Sequence, residues 1–233
     1  MAHDLPQQVL NEARAAFRRG AHGEALEKYL WFHHNALAHN LALAGVRLSY
    51  ALAEWIHLGS AYPPARTALE SIQNENRRAL EEGTLNFSQF NDFAAINKRL
   101  GRYELTCSVF AALAQREPEF AKKCFPAAVT ALVRAGEFAL ARPFVDARTG
   151  PLDKFLTVYA SFLNQRDRSR PWDDALIGVY ATRVRLLSRV LEGAGELEEA
   201  GLFQAKAIGA LEDSRDQDDL RRQLTDGNSL APH

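Results

Sequence analysis

The chain has 233 residues, of which 47% are hydrophobic and 24% charged, and its formal net charge at pH 7 is -1. That length suits one solenoid or two small domains, and the apolar content is ordinary for a soluble globular protein. A net charge this close to zero argues against a whole-protein field that draws in DNA or RNA. No apolar run reaches membrane-spanning length, and two cysteines (Cys107 and Cys124) do not make a cross-linked scaffold.

Ala, Leu, Glu and Arg dominate and β-branched residues are sparse, a mix that favours helix residue by residue. The first helix is predicted from Asp4 as N-cap, with Pro6 in its first turn and Val9, Ala13, Ala16 and Phe17 at helical spacing. Gly20 stops it. After Gly23, Glu24-Ala25-Leu26 leads into a second helix through Tyr29 and Phe32. A second pair starts near Asn40. Its first helix carries Leu41, Val46, Leu48, Leu52 and Trp55, with Gly59 as the stop. Pro63-Pro64 opens the partner, which holds Ala65, Leu69 and Ile72 and runs to about Glu82 before Gly83.

The third pair reads Phe90-x-x-Phe93-Ala94-x-x-Asn97, Gly101-x-Tyr103, Thr106-x-x-x-Phe110 and Pro118. A fourth follows with Phe125, Ala128, Val129, Leu132, Gly136, Phe138, Ala141 and Val145, up to Thr149-Gly150-Pro151. The fifth begins at Tyr159 and Phe162. It passes a charged loop to Pro171-Trp172 and continues through Ala175, Val179 and Thr182 to Gly193-Ala194-Gly195. A last helix holds Leu197, Ala200, Phe203 and Ala207. Beyond Leu211 the sequence predicts a short helix through Leu220 and Leu224, then a disordered end from Gly227 to His233. The expected layout is therefore one helical domain over 1–212 and a C-terminal segment over 213–233.

Each second helix has a small residue near its start: Ala25, Ala65, Thr106, Ala141, Ala175 and Ala200. Their separations are 40, 41, 35, 34 and 25. The two middle steps sit at the period of about 34 of the tetratricopeptide (TPR) repeat, and the motif from Phe90 to Pro118 resembles one such repeat. Thr106 stands where that family usually has Ala, and Asn97 where it usually has Tyr. Tyr29-Leu-Trp-Phe-His-His, Val46-Arg-Leu-Ser-Tyr-Ala-Leu and Tyr62-Pro-Pro-Ala further resemble a group of bacterial TPR-like proteins. The resemblance implies an all-α, right-handed superhelical solenoid of about 11–12 helices in antiparallel pairs, and a bacterial source. It implies no activity.

The same resemblance places the first helix of each pair along a concave groove. Carried across, the groove-facing residues are Arg14, Arg18, Arg47, Tyr50, Glu54, Asn91, Lys98, Arg99, Lys123, Arg134 and Asn164. That surface is basic although the whole chain is not, and it suits a partner that offers carboxylates, which arginine grips bidentately. The chaperone-tail clamp of the family does not map, since Leu10, Asn11 and Arg14 stand where its lysine and asparagine belong.

Catalytic signals are absent from the sequence. His33 and His34 are neighbours that face different ways, and His39 and His57 do not complete an i, i+4 metal pattern. Surface or helix-end positions are the expectation for them. Asp173-Asp174 reads as a helix first turn rather than a catalytic dyad, and Gly193-x-Gly195 lacks the strand and lysine of a phosphate loop. The start Met1-Ala2-His3-Asp4 shows no basic stretch before an apolar block, so no signal peptide is expected. The expectation is thus a soluble cytoplasmic binding module, not an enzyme, that takes a protein or peptide segment, acidic by preference. It calls for no metal, cofactor, membrane or nucleic acid. A small-ligand or enzymatic helical domain and a self-associating structural protein stay open as alternatives.

Overall fold

A computed structural model describes residues 5–145, 151–166 and 173–225. The described residues are helical with turns between, and no strand occurs among them. They fall into two compact units divided between Val109 and Phe110, within one helix. The expected Asp4 cap, the break at Thr149-Gly150, the Trp172 loop and the stretch 227–233 lie outside the described residues.

In the first unit, α1 (Leu5–Arg18) and α2 (His22–His39) form an antiparallel pair. Lys28 meets Glu12 at 2.6 Å midway along it, and Arg19 meets Glu24 beside the turn. The facing stripes are Leu10, Ala13 and Ala16 on α1 and Ala25, Tyr29, Phe32 and Ala36 on α2, all buried. Asn40 then caps the next stretch, its side chain accepting the Ala42 N–H.

That stretch is one continuous helical run of mixed pitch. A 3-10 turn (Leu41–Leu43) leads into α3 (Ala44–Val46), a π-helical turn (Arg47–Ala51) and α4 (Leu52–Ala61). Gly59 does not end α4 as expected. A Cβ there would lie 3.3 Å from the Arg66 backbone nitrogen, so this glycine marks where α5 (Pro63–Glu81) crosses closely. The Trp55 indole N–H donates to the Ala65 carbonyl at 2.9 Å across the same crossing. Asn86 caps α6 (Phe87–Leu100) through the Ser88 and Gln89 N–H groups. Then α7 (Tyr103–Arg116) folds back from Gly101.

Gly101 sits at φ 69°, a left-handed conformation that costs a residue with a Cβ about 1 kcal/mol or more. This lets the Arg102 N–H reach the Asn97 carbonyl (2.8 Å) and the Gly101 N–H the Lys98 carbonyl (3.4 Å), closing the last helical turn. The same two bonds recur at Gly20, Gly83, Gly136 and Gly195. Five positions after Gly83 stands the exposed Ser88. At the other four turns the residue five positions on is small and buried: Ala25, Thr106, Ala141 and Ala200. These are four of the six small positions expected from sequence. Ala65 is buried as well, without a left-handed glycine before it.

The second unit is built around α11 (Asp173–Gly193). Around it pack α8 (Pro118–Ala135), α9 (Phe138–Ala141), α10 (Pro151–Gln165), α12 (Leu197–Gly209) and α13 (Ser214–Thr225). The sixth small position fails. Ala175 is exposed and Val179 is 47% exposed, whereas Ile177, Tyr180, Ala181 and Val184 are buried. The inward stripe therefore runs two residues later than expected. The second helix of the fourth pair is only one turn long, because Pro143 cannot continue it, and a 3-10 turn (Arg142–Phe144) follows. Phe144 stacks on Phe125 with ring centroids 5.5 Å apart. The C-terminal helix α13 is part of this core. Leu220 is fully buried, and Arg166 and Asp216 form a bidentate pair at 2.7 and 2.8 Å with both side chains nearly inaccessible.

Gly193 and Gly201 make opposite expectations from the same change. A Cβ at Gly193 would overlap the Phe138 ring, while one at Gly201 meets nothing within 4 Å. Gly193→Ala is expected to lower stability by about 1–3 kcal/mol through overpacking. Gly201→Ala, in an exposed helix interior, is expected to raise it by about 0.5–1 kcal/mol. Urea midpoints for the two variants against wild type check both signs.

Candidate polar cavity in the first unit

The apolar stripe of α2 includes position 33, four residues after Tyr29, and there the sequence supplies histidine. His33 is 6% exposed and its ring lies edge-on to Trp55 at 5.8 Å, while His34 points outward. One of the two adjacent histidines is thus a core residue, which the expectation of surface positions missed. Spacing was the available signal: His33 lies four residues after Tyr29 and next to Phe32 on the apolar side of the helix.

Arg47 opens the π-helical turn. The wider turn carries an extra residue inward, and Arg47 and Ala51 are both buried. From α6, Asp92 projects between Phe90 and Phe93 of the core stripe. The three side chains converge. Arg47 Nη1 donates to Asp92 Oδ2 at 2.9 Å and Nη2 to Oδ1 at 2.5 Å. His33 Nε2 lies 3.4 Å from Asp92 Oδ2, and Arg47 Nη1 also donates to the His33 carbonyl at 3.3 Å. An Nε2-protonated His33 satisfies the cluster: it donates to Asp92 and accepts from Arg47 on Nδ1, 3.4 Å away. Burial alone would push the Asp92 carboxyl up. Hydrogen bonds from His33 and Arg47, with the Arg47 charge, outweigh it and hold the group below the usual carboxylate value.

A cavity of about 210 Å³ opens beside this cluster, walled by His33, His34, Arg47, Glu75, Ser88 and Asp92 among others. Burial, followed by the neighbouring His33, lowers the pKa of His34. Among the described residues no group of three or more His, Cys, Asp or Glu side chains is placed to hold a metal. The described cysteines form no disulfide, and burial pushes the Cys124 thiol up to about 12.

The expected groove residues do not form one set. Arg14 and Arg99 come onto neighbouring elements. Arg14 grips Glu54 with Nε 3.0 Å from both carboxylate oxygens, and Arg99 Nη2 donates to the Ser49 carbonyl at 3.4 Å. Tyr50, between those contacts in sequence, is 70% exposed, and Arg18 and Lys98 are exposed as well. Asn91 is half-buried. Arg47 departs from the expectation: it is 5% exposed and committed to Asp92, so it offers no groove surface. Lys123 and Arg134 are exposed in the second unit, where Asn164 is engaged with the Ala210 carbonyl and the Glu212 N–H.

Arg14–Glu54 is about one-third exposed on each side, so it contributes at most about 1 kcal/mol. The Arg47–Asp92 pair is different. Removing one partner strands a buried charge, and Asp92→Ala is expected to cost about 3–5 kcal/mol. Arg47→Met combined with Asp92→Leu is expected to cost less than Asp92→Ala alone. A carboxyl held low in the folded state binds fewer protons there than in the unfolded chain, so its contribution is complete above its unfolded value near 3.8 and is lost as pH falls through the folded one. Urea unfolding of wild type and double variant from pH 7 down to below pH 4 reads both effects; the double variant lacks this part of the acid loss.

Comparison with family models, curated proteins and solved structures found no match to the chain.

Proposed function

We propose that the chain is a TPR-like interaction module that binds a protein or peptide segment without covalent chemistry, and that acidic segments are preferred. The observation that carries this reading is a set of residues on the first unit: Arg14 beside Glu54, Arg99 beside Ser49, and a largely exposed Tyr50 between Ser49 and Glu54 in sequence. An exposed aromatic set among arginines is a composition enriched where proteins meet partners. Arg18, four residues from Arg14 on α1, and Lys98 on α6 extend the positive charge. The TPR-like reading is supported by the repeated unit of turn glycine, five-residue step and buried small residue. Glu54 already occupies Arg14, so an acidic partner competes with an internal carboxylate, and affinity then comes from the exposed charges and the aromatic ring together.

A second reading, a domain that senses a small ligand, is favoured by one observation, the polar cavity beside His33.

The first reading is tested with Arg18→Glu/Lys98→Glu, a change confined to exposed positions. Partners retained from native lysate by wild type, identified by mass spectrometry, are expected to be lost by the variant. Fluorescein-labelled acidic peptides made from their binding segments are expected to bind the variant at least about tenfold more weakly, with less salt dependence than wild type. Equal capture by both proteins removes this surface from the account.

A further inference from the structure

The cavity beside His33 has an unbalanced charge. Its one cation, Arg47, directs both terminal nitrogens at Asp92, so that pair is neutral as a unit. Glu75 remains. Its Oε1 accepts the Ser71 hydroxyl at 2.8 Å, and no cation pairs with it among the described residues. Around it stand Asn76, Ser88 and the His34 imidazole, each able to accept a hydrogen bond, whereas both His33 ring nitrogens are engaged with Arg47 and Asp92. His34 is held below its ordinary pKa, so at neutral pH it stays an acceptor rather than a competing cation. Leu37 and Ile72 supply an apolar wall. The opening, about 210 Å³, has room for a short alkyl chain ending in one charged group.

We propose that this cavity is a binding site for a primary alkylammonium group, held by Glu75 with the uncharged acceptors around it and with its carbon chain against Leu37 and Ile72. A carboxylate or phosphate finds no available cation there, since Arg47 is committed. The site does not rest on the segment-binding reading: its residues are distinct from Arg14, Arg18, Tyr50, Lys98 and Arg99. The ammonium has two sources, a free aliphatic amine or the side chain of a lysine on a macromolecule.

The test titrates n-butylammonium into the whole protein at constant ionic strength and follows the His33 and His34 imidazole resonances by NMR. Saturable shifts are expected. Butyrate, of equal length and opposite charge, is expected to give none. Glu75 is exposed, so Glu75→Gln keeps the fold, and it is expected to weaken n-butylammonium at least about tenfold, the loss that follows from removing a charged acceptor. Nα-acetyl-lysine amide separates the sources. Binding comparable to n-butylammonium assigns the site to a lysine side chain, and exclusion of the larger probe assigns it to a free amine; both uphold the ammonium site. The proposal is overturned by unsaturable or absent shifts with n-butylammonium, by equal affinity in Glu75→Gln, or by preferential binding of butyrate.

Discussion

Two helices joined by a turn of a few residues pack side by side only if little stands between their backbones near the turn. That steric constraint is met at four points in this chain by the same arrangement. A left-handed glycine ends the first helix, and a small side chain five residues later is buried. Larger buried side chains, such as Phe32, Phe93 and Phe203, stand further along the chain from each turn. A bulkier residue at Ala25 or Ala141 would push the pair apart and expose the stripes that give the unit its core.

At one of the four points the small residue is polar, and the consequence reaches further. Thr106 stands where the other three turns have alanine. The Asn97 amide donates to the Thr106 hydroxyl at 3.1 Å and accepts from Gln73 on α5, also at 3.1 Å. All three are buried. Asn97 and Thr106 therefore satisfy each other, and with Gln73 they tie three successive helices. Buried polar groups stay this deep only when their bonds are met, so the triad fixes how α5, α6 and α7 meet as well as adding stability. Arg47, Asp92 and His33 do the same for α2, the π-helical turn and α6, but with full charges and beside a cavity.

Much of the fold was legible because it is written in short-range chemistry. The glycine turns at 20, 83, 101 and 136, the paired prolines that open α5 and the helix through Leu220 could be read from a few neighbouring residues. What failed depended on the third dimension. Gly59 looked like a stop because the crossing of α5 is invisible along the chain. The stripe of α11 was anchored on Ala175, but a helix contacted by several others has apolar residues on more than one face, and periodicity alone does not pick the right one. The π-helical turn left no signal in a run as apolar as Ala44 to Leu58, and that single extra residue took Arg47 from the expected surface into the core. His33 was hidden for a related reason: a histidine reads as polar until its partners, 14 and 59 positions away in sequence, are known.

The pairing of Arg166 with Asp216 bears on the order in which the protein matures. In the first unit α1 and α2 are consecutive and can dock while the chain is still emerging from the ribosome, although Asp92 reaches His33 only 59 residues later. The second unit likewise waits on a late segment. Its central helix α11 is covered in part by α13, and the carboxylate that meets Arg166 arrives 50 residues after it. Until α13 has emerged, the face that receives Leu220 is open to water and to other chains. A chain that ended before α13 would leave that face of α11 uncovered, so closure of this core waits on α13.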